Sequence, residues 1–584
     1  MSKLEILREQ ILSQKPTEQQ KDAIFAEELE FLLRAAPGSG KTWTSCRRFI
    51  WRGAKWPYTA GGLALLSFTN TAIREFQDAT IKVGRRELLS DPNFVGTFDS
   101  FVERYILTPF GHLTVGLKKR PKLLIAPRPG DWKNKKLMAW IEFAGGRKTP
   151  VPAWEIVPYP ENNKLAFKTS RTYGGKKLDS GRNPVQELMK LGFYTHAQRV
   201  HWACRLLFDR PHIAERIAKR FPEIVIDEAQ DTNVWLLILM NFLRERGSKI
   251  TLIGDPDQCI YEFSMADSTS LPALKDKWKI PEKPLNQSFR CNNHIAAAVK
   301  NIGGNKDFVG CGESNNEHHR PYIIRDNGDR FAHSVSEFQK ALERAEINQS
   351  SSAIICRAHQ QLETIRGEVN YTSLKGMTKD LAQAAFFRDF QKDYKKACQI
   401  VEKFVRSFEG NDALWEKIDQ FPESLEARSI KLEIWRFTKS QAGLPPVSLN
   451  GSEWISQLRK NLTTLIAKLG IKNDKNLNQI IKKTGLDNNQ LNLPMLEAEA
   501  LFPPIRQETI HQVKGESIDA TLVLGSPKFW NSVVDSVVNG ENSEDRRLAY
   551  VAMTRARHLL VVALPASHFD KNAANWTAWG FSTL

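Results

Sequence analysis

The sequence predicts an α/β protein with two parallel-sheet domains, each interrupted by an insertion. Its 584 residues are more than one hydrophobic core usually holds. One local pattern recurs: a short apolar run ends in small or polar residues and is followed by a helix-like stretch, as expected for a parallel sheet. One set of such runs contains "FLLRAAPGSGKT", "GLALLSFTNTA", "EIVIDEAQDT" and "KITLIGDPDQ", and a later set contains "PYIIRD", "SAIICRA", "ATLVLGS" and "HLLVVALP".

Two stretches with a different residue composition and spacing interrupt these sets of runs. Residues 107–203 form the predicted first insertion, which is basic and mixed in character and contains the Lys- and Arg-rich stretch 118–182 with Trp132, Trp140 and Trp154. Residues 360–501 form the predicted second insertion, where "LRKNLTTLIAKLGI" has the helical spacing of three and four. The predicted cores are therefore 1–106 with 204–282, and 283–359 with 502–584.

The charge of the chain favours a polyanionic partner. Lysine and arginine exceed aspartate and glutamate by 83 to 66, a formal net charge of +17, which is typical of nucleic-acid-binding proteins. A solvated basic surface is the alternative explanation. Seven scattered cysteines without a CxxC pair, an N-terminus without an apolar signal segment and the lack of a long apolar run predict a cytoplasmic protein that does not enter a membrane. Cys311 with His318 and His319 lacks a second nearby cysteine, so we interpret it as loop rather than a metal site.

The stretch "AAPGSGKT" has the chemistry of a phosphate-binding loop. Its glycines allow the backbone to turn N–H groups towards an anion, and a helix that begins there adds its N-terminal dipole. Lys41 is expected to reach the β- and γ-phosphates, and Thr42 to bind Mg²⁺. The predicted nucleotide-binding residues of this loop are Ala36, Pro37, Gly38, Ser39, Gly40, Lys41 and Thr42.

The stretch "IVIDEAQD" supplies two carboxylates at the end of an apolar run. Asp227 is the expected second Mg²⁺ residue, and Glu228 is expected to orient and deprotonate the attacking water. An acidic surface turn is the alternative, but adjacent carboxylates after a buried strand are costly unless a cation and water satisfy them. Together the two motifs predict a nucleoside triphosphatase.

These residues, with "GDPDQCIYEF" after them, resemble superfamily 1 helicases of the UvrD/Rep type. Further stretches resemble motifs of that family in the same order: "PTEQQKDAI", "LLSFTNTAIREF", "VGTFDSFVERYI", "LNQSFRCNNHI", "TIHQVKGESIDATLVL" and "EDRRLAYVAMTRARHLLVV". The resemblance implies two RecA-like P-loop domains, 1A and 2A, with insertions 1B and 2B. It also implies ATP and Mg²⁺ as cofactors and an ATP-dependent DNA helicase as the activity.

The resemblance assigns further residues to the nucleotide. Gln20 corresponds to the residue that reads adenine. Gln258, at the end of its own strand, is expected to hydrogen-bond the γ-phosphate or the attacking water and to relay between phosphate and strand. Arg290 and Arg555 are expected to stabilise the leaving γ-phosphate from the second core. Surface ion pairs are the alternative role for each arginine. Phe289, Gly515 and Glu516 complete the predicted nucleotide-binding set.

A single DNA strand is the implied substrate, either alone or as the tail of a duplex. Short polar groups suit its phosphates and aromatic rings suit its bases, although each aromatic residue could instead belong to the core. The predicted DNA-binding residues are Phe68, Thr69, Asn70, Thr97, Tyr261, Phe263 and His511. The basic stretch 118–182 either holds nucleic acid or is a solvated face.

The chain also departs from the family pattern. After "GDPDQCIYEF", which resembles motif III, the family continues with Arg-Gly-Ala, but this chain has Ser264, Met265 and Ala266. Asp99 stands where a histidine is common, and Phe289 stands where a tyrosine is usual. In "KGES", part of the stretch that resembles motif V, the acid Glu516 comes one place earlier than in the family. The compact layout also resembles UvrD-like subunits of Gabija-type antiphage systems, whose partner is a nuclease. Three functions follow as hypotheses: a 3′→5′ helicase, an ATP-hydrolysing DNA sensor in a defence complex, or a non-enzymatic nucleic-acid clamp, which the intact catalytic residues argue against.

Overall fold

The computed structural model describes the following residues: 2–58, 60–124, 134–142, 148–161, 164–170, 174–260, 270–312, 316–328, 331–365, 376–389, 392–408, 418, 424–471, 476–481 and 505–584. The chain divides into two compact units. The first unit contains residues 1–324, 344–347 and 510–584, and the second contains residues 325–343 and 348–509. Within the described residues, every helix is too short or too polar to cross a membrane.

The described strands follow in chain order. They are β1 (Leu32–Ala35), β2 (Leu63–Ser67), β3 (Phe94–Thr97), β4 (Lys122–Leu123), β5 (Met138–Glu142), β6 (Lys148–Pro152), β7 (Ile156–Glu161), β8 (Lys164–Thr169), β9 (Lys177–Leu178), β10 (Phe193–Tyr194), β11 (Glu223–Ile226), β12 (Lys249–Gly254), β13 (Glu282–Leu285), β14 (Pro321–Asp326), β15 (Ser352–Cys356), β16 (Arg506–Thr509), β17 (Ile518–Leu524), β18 (Ala556–Pro565) and β19 (Ser582–Thr583).

The described α-helices are numbered in the same way. They are α1 (Lys3–Leu12), α2 (Glu18–Phe25), α3 (Lys41–Ala54), α4 (Asn70–Lys82), α5 (Phe98–Val102), α6 (Thr108–Phe110), α7 (Arg182–Lys190), α8 (His196–Asp209), α9 (Pro211–Arg220), α10 (Val234–Arg244), α11 (Ser270–Trp278), α12 (Asn293–Ile302), α13 (Ala332–Arg344), α14 (His359–Ile365), α15 (Met377–Asp389), α16 (Tyr394–Phe408), α17 (Leu425–Lys439), α18 (Gly451–Lys468), α19 (Leu477–Ile480), α20 (Pro527–Val538), α21 (Glu544–Met553) and α22 (Ala566–Ala578).

A six-stranded parallel sheet forms the centre of the first unit, in the order β13-β1-β12-β11-β2-β3. Its central strands are mainly apolar because both faces are covered. Leu32 and Leu66 contribute to the core on one face, while their chain neighbours Leu33 and Leu65 contribute to the core on the other. The strands all end at one edge, where the connecting loops can combine their side chains.

The first insertion is rich in β-structure. Strands β5 and β6 form an antiparallel hairpin, and β7, β8 and β9 form a three-stranded antiparallel sheet. Hydrogen bonds attach this region to neighbouring helices: Trp235 Nε1 donates to Pro158 O at 2.9 Å, and Gln198 Nε2 donates to Ala153 O at 2.7 Å and to Ile156 O at 3.0 Å. The insertion therefore lies against the core through buried polar contacts as well as apolar packing.

A second set of parallel strands completes the first unit, with β17 beside β18 and β14 beside β19. Helix α21 leads directly into β18, whose residues Leu559–Leu564 are buried. The predicted α/β class with two parallel-sheet cores is confirmed.

The second unit is mainly helical within its described residues. Its core contains large side chains from α15 to α18, among them Phe386, Phe404, Phe437 and Trp454. Strands β15 and β16, which belong to this unit, pair in parallel. The predicted helical character of the second insertion agrees with these helices.

Candidate nucleotide and nucleic-acid sites

The phosphate-binding loop connects β1 to α3. Gly38 and Gly40 have φ angles of +72° and +77°, a conformation that favours glycine. Gly40 occupies the N-cap position without a side-chain cap, so N–H groups of the first helical turn remain available to an anion. The Ser39 hydroxyl is buried without a hydrogen-bond partner among the described residues. This loop therefore has the donors that a phosphate requires.

Residues from two other segments fix the position of the loop. The N–H of Ala36 donates to Leu285 O at 2.9 Å, and the N–H of Phe289 donates to Gly38 O at 2.8 Å. A Cβ atom at Gly38 would lie only 2.6 Å from the Cβ of Arg290. The exposed ring of Phe289 lies near Gly40, where it can cover a base.

The predicted adenine reader, Gln20, supports the loop directly. Thr17 and Gln20 form a capping box at the start of α2, and Gln20 Nε2 donates to Ser39 O at 3.1 Å. Because Gln20 is buried, these bonds hold its amide beside the phosphate-binding loop. Its predicted contact with adenine remains a prediction.

The two carboxylates with predicted catalytic roles, Asp227 and Glu228, follow β11 and lie beside Lys41. Lys41 forms an ion pair with Glu228. Burial opposes charging of the Lys41 ammonium, but Glu228 and Asp227 outweigh it and raise the pKa of Lys41. Burial also opposes ionisation of Glu228, yet Lys41 and Lys514 lower its pKa to about 2. Glu228 has a positive φ of 54°, a conformation that non-glycine residues adopt only when their surroundings enforce it.

Asp227 has the properties of a Mg²⁺ ligand. It is 4% exposed, and its Oδ1 atom has no hydrogen-bond partner among the described residues. Burial, reinforced by the charge of Glu228, raises the pKa of Asp227 to about 6 against the influence of Lys41. A buried carboxylate oxygen without a partner is satisfied by a cation. Asp227 and Thr42, the second residue of α3, thus fit the expected metal.

Arg555, which is buried, and Arg290, which is half-buried, point to the same region from the later part of the first unit. Arg555 Nη2 donates to Gln258 Oε1 at 3.5 Å, and Gln258 Nε2 donates to Asp255 Oδ2 at 2.8 Å. Arg290 donates to Ser517 Oγ at 2.7 Å and to Gly515 O at 3.2 Å. Burial lowers the pKa of both arginines, and the charge of Arg290 lowers that of Arg555 further.

Among the described residues, neither guanidinium has a carboxylate within ion-pair distance. Two such cations without an acidic partner form a site that an anion would stabilise. Glu516, predicted to contact the nucleotide, uses its backbone: its O accepts a hydrogen bond from Arg555 Nη1 at 3.4 Å.

The structure also reveals ion pairs that the sequence analysis missed. Lys514 Nζ donates to both carboxylate oxygens of Asp231, at 2.9 and 2.7 Å. Arg34 on β1 donates to Asp257 Oδ2 at 3.0 Å. Asp231 is the last acid of "DEAQD", and its place just after a buried strand was the signal for it. No comparable signal identified Arg34, because a charged residue within a short strand has no fixed partner in sequence.

The sequence also did not predict a hydrogen bond between the stretch "EDRRLAYVAMTRARHLLVV", which resembles motif VI, and "GDPDQCIYEF", which resembles motif III. Arg547, in α21, donates to Cys259 O at 2.7 Å. Its guanidinium is almost fully buried, so this contact places the start of α21 beside the end of the Gln258 segment.

The predicted DNA-binding residues of β2 and β3 lie at the same sheet edge. Phe68 packs on Phe98 with ring centroids 4.8 Å apart. The Thr69 hydroxyl caps α4 by accepting from Ala72 N at 3.2 Å, and Asn70 is the exposed first residue of that helix. The Thr97 hydroxyl caps α5 by accepting from Ser100 N at 3.2 Å. These polar groups lie at helix N-termini, where phosphates bind favourably.

A cavity of about 590 Å³ lies between these residues and the first insertion. Its lining includes Phe68, Thr97, Lys168, Ser170 and His196, and we call it the motif cavity. It has an aromatic ring, hydroxyl groups and a lysine, a combination suited to a nucleic-acid strand.

Of the three other predicted DNA-binding residues, the structure describes His511 but not Tyr261 or Phe263. His511 lies half-buried in the segment between β16 and β17. Tyr261 and Phe263, together with the altered residues Ser264, Met265 and Ala266, lie outside the described residues.

One departure from the family pattern has a structural reason. Asp99, where a histidine is common, forms an ion pair with Arg199 at 2.9 Å. Arg199 is almost fully buried and also contacts His196. The acidic residue therefore neutralises a buried cation from α8.

Comparisons with known proteins agree with these motifs. A family model described as the UvrD/REP helicase N-terminal domain matches residues 16–135 and 168–279, and one described as the UvrD-like helicase C-terminal domain matches residues 324–567. The chain is similar to DNA helicase II of Haemophilus influenzae, with 26% identity over 50% of this chain and 41% of that protein. It is also similar to DNA helicase II of Escherichia coli (23% identity, 48% of this chain, 39% of that protein) and to the ATP-dependent DNA helicase PcrA of Bacillus subtilis (24%, 48% and 38%). The chain thus spans about two fifths of the length of these relatives.

Proposed function

We propose that this chain, which belongs to the UvrD/REP helicase family, is an ATP-dependent DNA helicase or translocase that moves 3′→5′ on single-stranded DNA. In this proposal residues 1–106 and 204–282 form motor domain 1A, and residues 283–359 and 502–584 form motor domain 2A. We place the protein in the cytoplasm, where both ATP and DNA are accessible to a bacterial-type helicase. Insertions 1B and 2B would modify how the DNA is held.

The observation that carries the proposal is the meeting of distant motifs at one edge of the sheet. Lys41, Glu228 and Gln258 follow three neighbouring strands, while Arg555 reaches Gln258 from the turn between α21 and β18. Phosphoryl transfer needs positive charge around the leaving γ-phosphate and a base for the attacking water. These four side chains supply both.

The protein's own residues have distinct roles in hydrolysis. The backbone of Gly38 and Gly40 would hold the phosphates, and a bound γ-phosphate would compete with Glu228 for the Lys41 ammonium. Glu228, once released from Lys41, would accept a proton from the attacking water. Thr42 and Asp227 would hold Mg²⁺, which neutralises phosphate charge when bound. Gln258 connects the phosphates to Arg555, so hydrolysis can alter a contact between distant segments.

The DNA strand would lie across the ends of β2 and β3. Thr69, Asn70 and Thr97 would contact phosphates, and Phe68 would contact a base. His511, Tyr261 and Phe263 are the further contacts that we propose from their motifs.

ATP turnover with and without oligothymidylate tests the motor, and strand separation on duplexes with 3′ or 5′ tails tests its direction. We expect the strand to stimulate turnover at least about tenfold and only the 3′-tailed duplex to be separated. Turnover that does not respond to DNA would refute the proposal. Separation of only the 5′-tailed duplex would refute the direction.

The replacement of Arg-Gly-Ala by Ser264, Met265 and Ala266 favours a second candidate. In this alternative, the chain hydrolyses ATP as the DNA-sensing subunit of an antiphage complex and regulates a partner nuclease with little unwinding of its own. Strong DNA-stimulated turnover without separation of either duplex would favour this candidate over the first.

A further inference from the structure

The hairpin of the first insertion exposes a tryptophan whose role the helicase motifs do not explain. Trp140, on β5, is 58% exposed, and its partner across the hairpin is Pro150. A single exposed apolar side chain is ordinary by itself, but an exposed indole beside lysines is the combination that binds unpaired bases. Trp140 lines a cavity of about 660 Å³, which we call the tryptophan cavity.

The tryptophan cavity is basic. Lys148, Lys176 and Lys177 line it, whereas Asp179 is the only carboxylate among its described lining residues. Lys177 forms an ion pair with Glu161 at 2.5 Å, but these side chains are 61% and 38% exposed. Exposed pairs of this kind are weak, so a phosphate could replace Glu161. The charge of the cavity therefore suits a polyanion.

The tryptophan cavity and the motif cavity have neighbouring lining residues on β8 and β9. Lys168 lines the motif cavity, and its cross-strand partner Lys177 lines the tryptophan cavity. Gly175 lines the former and the next residue, Lys176, lines the latter. A strand that leaves the motif cavity over β9 would therefore pass Lys176 and Lys177 before it reaches Trp140.

We propose that the tryptophan cavity is a second binding site for single-stranded nucleic acid, with Trp140 stacked on an unpaired base and the lysines on the flanking phosphates. This inference rests on the proposed function, because the same strand would occupy the motif cavity. A single strand fits better than a duplex, since stacking needs a base face that a duplex keeps covered.

The site predicts an effect that depends on strand length. Fluorescence anisotropy with labelled oligothymidylates of about 6 to about 40 nucleotides would measure the affinity. We expect Trp140→Ala to weaken the binding of long strands about tenfold and to leave short strands, which fill only the motif cavity, unaffected. Trp140→Phe should restore most of the loss because it keeps an aromatic face. Lys148→Glu should also weaken only long strands and should reduce the salt dependence of their binding.

Matched controls separate this site from a general loss of structure or charge. Phe208→Ala removes another exposed aromatic of the first unit (66% exposed), and Lys219→Glu reverses an exposed lysine on α9. Both should bind all lengths as the wild type does. DNA-free ATP turnover and the melting temperature should be unchanged in every variant.

Several outcomes would overturn the inference. Equal weakening at all lengths would place Trp140 at the motif cavity, and no weakening would show that it does not contact the strand. If duplex or polyglutamate competed for the Trp140-dependent binding as well as a single strand does, the ligand class would be wrong. If the wild type binds strands and the Trp140 and Lys148 variants bind them equally well, this site alone is refuted. If the wild type binds no strand of any length, the proposed function is refuted as well.

Discussion

The polar side chains in the two halves of the first sheet's edge differ in their burial and in their hydrogen-bond partners. On the nucleotide half, at the ends of β13, β1, β12 and β11, the side chains of Asp227, Asp231 and Asp255 are buried. Ion pairs there form over long distances in sequence, as between Lys514 and Asp231. On the nucleic-acid half, at the ends of β2 and β3, Thr69 is exposed and Thr97 is half-buried. Within the described part of the chain, their hydroxyls bond to the starts of their own helices.

The difference follows from what each half would bind. Buried charges are costly unless every partner is in place, so the nucleotide half has a fixed geometry, as phosphoryl transfer requires. A moving strand has to be released and bound again at each step, and exposed groups allow this because water readily replaces their contacts. Variants in the first half should therefore have large effects, and variants in the second half small ones.

The largest effect is expected from Lys41→Ala. It removes the ammonium that would bind the leaving phosphates and leaves Glu228 without its closest cation. We expect ATP turnover to fall at least about 100-fold, measured by phosphate release at saturating ATP. Lys55→Ala, at the other end of α3 with an exposed partner, is the control and should retain full turnover. Near-normal turnover in Lys41→Ala would contradict the site.

The Lys514–Asp231 pair tests how much unfolding free energy is lost when a buried charge loses its partner. These side chains are only 12% and 8% exposed, so Lys514→Met leaves a buried carboxylate without its cation. The free energy of unfolding of the first unit should fall by about 3 kcal/mol or more, as measured by urea denaturation. Lys21→Met breaks an exposed pair with Glu18 and should cost about 0.5 kcal/mol or less.

A double variant separates the loss of the ion pair from any other effect of the Lys514→Met substitution on the free energy of unfolding. Adding Asp231→Asn to Lys514→Met should recover a large part of the loss, because no uncompensated charge then remains. Strictly additive losses would show that the pair contributes no coupling, and the nucleotide half would then be no more constrained than the surface.

The sequence was most informative where a site is built from consecutive residues. The loop from Ala36 to Thr42 and the carboxylates after β11 could be assigned because a strand, a turn and a helix start follow each other in the chain. Pairs such as Arg34 with Asp257, 223 residues apart, depend on which strands become neighbours, and no local pattern encodes that. The β-rich first insertion was predicted only as mixed, because its short strands contain proline and lysine at positions that usually weaken a strand signal.

A response to acid is also expected from His201, which follows the motif-cavity residue Val200 on α8. Its ring lies 5.1 Å from Trp202 and 5.0 Å from Trp235. Burial, followed by the charges of Arg205 and Arg182, lowers the pKa of His201 to about 4. The unfolded chain, with a histidine pKa of about 6.5, then takes up the proton first as the pH falls. The stabilising contribution is therefore complete above about pH 6.5 and is lost towards pH 4, by roughly 3 kcal/mol.

Urea denaturation at pH 7 and pH 4.5 would measure this contribution. His201→Gln cannot titrate, so its free energy of unfolding should fall less than that of the wild type between the two pH values. His212→Gln, at an exposed position on α9, is the control and should follow the wild type. A wild-type curve parallel to that of His201→Gln would contradict the assignment.

The smallest effect concerns Thr69, whose hydroxyl caps α4 and is also the proposed phosphate contact. Thr69→Ala should lose the cap and cost about 1 kcal/mol of unfolding free energy. Thr69→Asp separates the two roles, because a carboxylate caps a helix well but repels a phosphate. We expect Thr69→Asp to unfold like the wild type in urea while its affinity for oligothymidylate falls about tenfold. If Thr69→Asp binds the strand as tightly as the wild type, the hydroxyl serves only the helix, and the nucleic-acid half of the edge would have to hold its phosphates through Asn70 and Thr97 instead.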